Sequence, residues 1–375
     1  MKNLMIDTIV LYAKSNQFRI LEPEKFKILG GGQKEGNHGY VVYIQNHTKD
    51  ELRRGIYKPR LSLTKRYVGK EGIQDLLKIE MSLPKLLFGN NFQEVEDSDY
   101  KEIKSILFTK LLEMGVQILS IDDLEVSAVH YSKNIILTDY STPYEYLQEI
   151  RKIDYTKVLD MTKTDYSNAG YSFRIRCNSY EIIFYDKLKD LQQAKKSQKK
   201  AIEPDSVLQL NLFDDTKDNG PFEVLRMEVR LNKRDKIKRL FESLGIDTDL
   251  QFQNLFSKSI SQKVLLHYLE QIRSNYPSVI SLKLSNEQLL MRIISDYPGM
   301  KLRKVLMVLG AKALLDEIGV RAFRELIRSF GVRRWYSLRQ ELKNIVITSG
   351  EDIFKNIEDT IKGSHKVGGF NVRKV

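Results

Sequence analysis

The hydrophobic positions divide this chain into an alternating half and a helical half. Residues 77–83 alternate cleanly, with Leu77, Ile79, Met81 and Leu83 on one side and Lys78, Glu80 and Ser82 on the other. Residues 224–231 repeat the pattern: Leu225, Met227, Val229 and Leu231 face one way, and Arg226, Glu228 and Arg230 the other. That period of two predicts strands with one buried face. Short β-branched runs over residues 7–12, 39–45 and 124–132 predict three more, and residues 172–178 with 180–184 predict a hairpin around Asn178. Residues 99–114 instead place Ile103, Ile106, Leu107, Leu111 and Met114 at helical spacing, with Ser98 or Asp99 as the cap and Gly115 as the stop. Residues 140–152 predict a further helix. Gly30, Gly31 and Gly32 lack the Lys-Ser/Thr ending and the helical periodicity of a phosphate loop, so they predict a loop.

From about Asp235 the period becomes helical. Residues 302–315, 320–330 and 335–342 predict short helices punctuated by Gly310, Gly319 and Gly331. The fold class expected is therefore α+β, with a small all-α basic module after the strands. The domains expected are 1–240, 241–362 and a basic tail at 363–375, with a charged loop at 194–220 inside the first.

Charge sharpens this picture. The net charge is +12 over 375 residues, which suits a polyanionic partner such as nucleic acid. Between Lys301 and Lys343 eleven Lys and Arg stand against four Asp and Glu. Arg321, Arg324 and Arg328 recur three or four apart on one helical face, and Arg333 and Arg334 follow. This face is either a solvated surface or a phosphate-contacting one, with Arg226 and Arg230 as further candidates. A single cysteine, Cys177, excludes an intrachain disulfide and a cysteine-based zinc site. No apolar run is long enough to span a bilayer, and Asp7 interrupts the apolar start, so a cytoplasmic location is expected.

The candidate chemistry centres on Tyr185. A helix starting there would place Lys189 on the same face, setting an ammonium beside a phenol. Glu80 and Glu228 are carboxylates in strand centres, where propensity disfavours them. They read either as members of a surface ion-pair lattice or as ligands to a hard divalent ion, Mg²⁺ or Mn²⁺. His130 is the third candidate ligand. Strict alternation puts it on the face of Val126 and Ala128, whereas a bulge after Ala128 would swing it to the other face.

Four blocks, in this order, carry a resemblance: Met5-Ile-Asp-Thr8, Leu77-Lys-Ile-Glu-Met-Ser-Leu-Pro-Lys-Leu-Leu-Phe-Gly-Asn-Asn91, the Tyr185 segment, and Val224-Leu-Arg-Met-Glu-Val-Arg-Leu231. Together they resemble the gene II/gene X replication initiation proteins of filamentous phages and related plasmid or phage-derived elements, rolling-circle initiators of the HUH-endonuclease type. The resemblance implies a central antiparallel sheet with helices on one face and the active site on the other. It implies that Tyr185 nicks one strand of a replication origin, leaving a 5′-phosphotyrosine and a 3′-OH primer, and later rejoins the strand. It places Glu80 and Glu228 on family glutamates, and His130 where the phage proteins carry an acidic residue. A complete His-hydrophobic-His pair is absent. A host helicase and polymerase are the partners it implies. The competing expectation is a non-catalytic, sequence-specific DNA-binding protein in which Tyr185 only packs.

Overall fold

A computed structural model describes residues 5–34, 38–48, 50–51, 54–67, 73–137, 141–151, 164–167, 170–190, 223–274, 284–345 and 353–363. Its strands are β1 (Ile6–Lys14), β2 (Phe18–Ile20), β3 (Lys27–Lys34), β4 (His38–Gln45), β5 (Arg60–Tyr67), β6 (Ile73–Ser82), β7 (Val116–Ile118), β8 (Glu125–Leu137), β9 (Thr164–Ser167), β10 (Ser172–Arg176), β11 (Tyr180–Asp186) and β12 (Glu223–Leu231). Ten of them form one sheet in the order β3-β4-β5-β6-β1-β8-β12-β11-β10-β9, and every neighbouring pair is antiparallel. β2 and β7 pair separately.

The alternation places the core where hydropathy expects it. Leu77, Ile79 and Met81 of β6, Ile9 and Leu11 of β1, Val129 and Tyr131 of β8, and Leu225, Met227 and Val229 of β12 are all buried. Helices α1 (Leu83–Phe88), α2 (Tyr100–Glu113), α3 (Pro143–Arg151), α4 (Arg234–Ser243), α5 (Phe252–Leu255) and α6 (Lys258–Arg273) follow in chain order. They are succeeded by α7 (Asn286–Asp296), α8 (Leu302–Arg328), α9 (Val332–Lys343) and α10 (Ile353–Lys362). α4 and α6 pack against β8 and β12, α3 against β10 to β12, and α10 against α6 and β8. The chain after residue 240 therefore contributes helices directly to the sheet. α8 packs against α7 and α9.

Two expectations change. Residues 302–328 form one continuous helix that passes through Gly310 and Gly319. A mid-helix glycine weakens a helix by about 1 kcal/mol but does not end it when the flanking turns are long and apolar. Gly331 is a true break, with φ of 113° at the cap of α9. The triglycine segment is a strand, β3, bulged between Ile28 and Gly30. A Cβ on Gly31 would lie 2.7 Å from the Tyr40 carbonyl oxygen, so close pairing with β4 requires glycine. The charged segment 194–220 and residues 364–375 lie outside the described residues. Among the described residues no helix is long and apolar enough to cross a membrane.

Candidate active site on the polar sheet face

Two bulges shape the polar face. β1 carries one extra residue, Asp7, where its register with β8 shifts between Ile6 and Thr8. β8 carries an extra residue, Ser127, where Val10 pairs with Ala128 but Leu11 pairs with Val126. The second bulge decides the fate of His130. It falls before Ala128, so Val126 stays in the core while Ala128 and His130 both turn to the polar face. Neither strict alternation nor a bulge after Ala128 describes what the chain does.

Arg226 is the hub of this face. Its side chain is buried, at 3% exposure, and it donates to Asp7 Oδ1 at 2.6 Å, Ser132 Oγ at 2.7 Å, Asn134 Oδ1 at 3.2 Å and the Asn91 carbonyl at 2.8 Å. Burial pushes the Asp7 carboxyl up. Arg226, the Thr8 hydroxyl and Lys187 outweigh that and hold it below the usual carboxylate range. Arg226 is therefore an internal clamp between β12, β8 and β1, not the surface phosphate contact expected of it.

Tyr185 is the penultimate residue of β11 and stands opposite Arg226 on β12 and Ser172 on β10. It is half-buried, and among the described residues its hydroxyl has no hydrogen-bond partner. Burial pushes its pKa well above the ordinary phenol value, and the Arg226 guanidinium works in the opposite direction. The expected Tyr185–Lys189 pair does not form. The helical turn begins at Lys187, so Tyr185 remains a strand residue and the helical spacing does not apply. Lys189 Nζ instead sits 3.0 Å from the centre of the Tyr171 ring. The cation near Tyr185 is Lys187, 5.9 Å from the ring centre, fully buried and donating to Asn91 Oδ1 at 2.7 Å.

The three proposed metal ligands divide into two groups. His130 Nδ1 lies 3.9 Å from Glu228 Oε1, and its Nε2 lies 3.2 Å from Asn232 Oδ1. Burial lowers the His130 pKa, with Glu228 opposing, so the ring is neutral at pH 7. Glu228 is itself bonded to Arg230 at 3.0 and 3.3 Å. Glu80 stands opposite Val10 on β1 and Arg60 on β5, and pairs with Lys78 at 2.9 Å. Three strand spacings separate Glu80 from Glu228, about 14 Å across the sheet. Among the described residues no three His, Cys, Asp or Glu side chains form a group suited to one ion. With each carboxylate facing a guanidinium or ammonium, the three do not fit around a single divalent ion as arranged.

A cleft of about 230 Å³ opens on the Glu80 side of this face. Asp7, Thr8, Tyr57, Arg60, Glu80 and Ser82 line it, with Lys85 adding positive charge and His47 accepting the Lys58 backbone N–H through Nε2 at 3.0 Å. The Tyr57 hydroxyl accepts from the Ser82 backbone N–H at 2.6 Å, and burial pushes its pKa up to about 12. The cleft joins Glu80 on one flank to the Asp7–Arg226 pair on the other.

Sequence reasoning missed Asp7, Lys187, Ser132 and Asn91. Asp7 satisfied the criterion that picked out Glu80 and Glu228, a carboxylate within a β-branched strand. Of the other expected phosphate contacts, Arg230 is bound to Glu228 and lies 3.7 Å from Glu181. Arg328 is exposed and pairs with Glu325 at 3.0 Å, Arg324 is half-buried, and Arg333 and Arg334 are exposed at the start of α9. The Arg321 side chain lies outside the described residues. Comparison with protein-family models, with curated proteins and with solved structures finds no match, so any functional reading rests on the residues themselves.

Proposed function

We propose that the chain nicks and rejoins a DNA strand through Tyr185, as an initiator of rolling-circle replication. One observation carries this reading: a phenol without a hydrogen-bond partner among the described residues stands on the polar sheet face, in register with Arg226 and beside Lys187. In the reaction Tyr185 Oη attacks a backbone phosphorus. A P–Oη bond forms, the P–O3′ bond breaks, and the phenol proton passes in net terms to the departing 3′ oxygen. The products are a 5′-phosphotyrosine and a free 3′-OH that a polymerase can extend. The phosphodiester energy is kept in the new bond, so the reverse attack reseals the strand. Arg226 and Lys187 offset negative charge on the developing phenolate and phosphorane.

The basic surface agrees with a polyanionic substrate, and Arg333 and Arg334 offer exposed phosphate contacts on α9. The burial that raises the Tyr185 pKa favours a second reading, a sequence-specific DNA-binding protein in which this tyrosine only packs. The two separate on one experiment. The protein is incubated with single-stranded oligonucleotides tiling its own replicon, with Mn²⁺ or Mg²⁺ supplied, and analysed for a covalent adduct. A protein-linked strand that Tyr185→Phe abolishes supports the enzyme. Binding without an adduct on any strand refutes it in favour of the binding protein.

A further inference from the structure

The polar face continues past Tyr185 into a cluster of three arginines that the nicking chemistry does not use. Arg174 and Arg176 on β10 stand opposite Ile183 and Glu181 on β11, and Glu181 in turn stands opposite Arg230 on β12. Directly opposed residues of antiparallel strands share a face, so these side chains lie on the same side as Tyr185 and Glu228. The negative groups there are Glu181 and Glu228. Glu181 lies 3.9 Å from Arg176 and 3.7 Å from Arg230, and Glu228 is bonded to Arg230.

Arg174 takes no share of these carboxylates. Among the residues whose side chains are described, which exclude those of β9, it forms no ion pair, and its Nε is buried without an acceptor. Burial and then the Arg230 charge both pull its pKa below the ordinary guanidinium value, with Glu181 opposing. A half-buried guanidinium crowded by a second one is unfavourable unless an anion completes the group. Arg174 is also well placed for one. It is diagonal to Tyr185 across the β10–β11 pair, roughly 7 Å away by sheet geometry, which puts it about one nucleotide along a strand whose phosphate faces Tyr185.

We propose that Arg174 is a phosphate-binding residue that anchors the substrate strand next to the phosphate presented to Tyr185. The ligand class is a phosphodiester of single-stranded DNA, so the proposal rests on the nucleic-acid reading of this face. It does not require that Tyr185 react. The competing account is structural. The register also sets Asp165 of β9 opposite Arg174, and an ion pair there would make the arginine a tie for the sheet margin.

The test uses the full chain carrying Tyr185→Phe, without divalent ions, and a fluorescent single-stranded oligonucleotide of mixed sequence. Binding is measured from 50 to 200 mM salt for the parent, for Arg174→Gln and for Arg174→Lys, with thermal unfolding of each. A phosphate contact adds roughly 0.7 to the salt slope on single strands, so the affinity lost across that salt range shrinks by about 2.6-fold in Arg174→Gln. Arg174→Lys keeps the parent slope. The melting temperature of Arg174→Gln stays level or rises, because a repelled charge has gone. An unchanged slope, a melting temperature that falls with the affinity, or no oligonucleotide binding by the parent overturns the proposal. Failure of the nicking reading appears separately: wild-type protein that forms no adduct while the Arg174 slope effect persists removes the chemistry and keeps the contact.

Discussion

The Asp7–Arg226 pair offers the sharpest test of how this face is held together. Asp7→Asn keeps the shape and one acceptor oxygen but removes the charge. Arg226 is then left as a buried cation, bonded only to neutral groups at Ser132, Asn134 and Asn91. Removing one partner of a buried ion pair costs about 3–5 kcal/mol. Glu228 and Glu94 still act on the guanidinium, which places the expected loss near the lower end, about 3 kcal/mol at pH 7. Urea unfolding followed by circular dichroism measures it. The pH dependence follows from the sign of the shift. The folded-state pKa of Asp7 is depressed below the ordinary carboxylate value of 3.8, so the pair's stabilisation is fully present above that value and is lost as pH falls through the folded one. The gap between wild type and Asp7→Asn is therefore constant from neutral pH to about pH 4 and closes below it. In the double variant Asp7→Asn with Arg226→Met, the loss is smaller than the sum of the two single losses. A loss under about 1 kcal/mol at pH 7, or strict additivity in the double variant, would show that Arg226 does not depend on Asp7 and would remove the clamp from the description of the site.

Three further outcomes are expected. Tyr185→Phe loses the covalent adduct but shifts unfolding stability by less than about 0.5 kcal/mol, because the hydroxyl has no hydrogen-bond partner among the described residues; a large loss in the melt would make the tyrosine structural. His130→Gln flattens the fall in stability below about pH 6.5, since a depressed folded-state histidine pKa means that the unfolded chain binds the extra proton and stability drops as pH falls below 6.5. His47 and His267 are shifted in the same direction and leave a residual slope, so an identical profile in the variant is the refuting result. Gly31→Ala forces a Cβ against the Tyr40 carbonyl and destabilises the β3–β4 pair by about 1–3 kcal/mol, read as faster amide exchange in those two strands with the β8–β12 core unchanged.

How much of this was legible depends on period and on register. The strands of β6 and β12 were readable because each has one apolar face that must be buried, which fixes both the period and the side. The triglycine β3 was not, because an edge strand needs neither a strong apolar face nor high propensity, and β5 was not, because Leu61 and Leu63 are its only buried residues and its second half is polar. The continuous helix α8 was hidden by glycines, whose local cost is outweighed by packing against α7 and α9. At the site, Glu228 and His130 were found as unusual residues in strands, and Tyr185 through a spacing read as helical. Their arrangement was not, because it depends on Ser127 and Asp7, two bulged residues that no alternation pattern marks. The Tyr185–Lys189 spacing misled for a related reason. A four-residue spacing has meaning only on a helix, and the strand runs on to Asp186.

The distribution of charge across the polar face argues for where a polyanion would lie. On the β5–β6 flank Glu80 faces Lys78 and Arg60, and at the centre Asp7 neutralises Arg226. Toward β10 the balance changes. Arg176 and Arg230 share Glu181 and Glu228, Arg174 stands beside them without a share, and Lys187 lies close by over Tyr185. Both flanks carry excess positive charge, Lys78 and Arg60 against Glu80 on one and three arginines against Glu181 and Glu228 on the other, but on the β10 side Arg174 has no ion-pair partner among the described side chains and is left to meet a phosphate. The strand is expected to track the β10–β11 side and to present its phosphate to Tyr185 from there. Charge reversal at the two flanks separates the alternatives: Arg174→Glu weakens single-strand binding at least tenfold more than Lys78→Glu, about 1.4 kcal/mol of difference. Equal weakening by the two would mean that the strand crosses the cleft lined by Glu80 and Asp7, and the arginine cluster would then need another account.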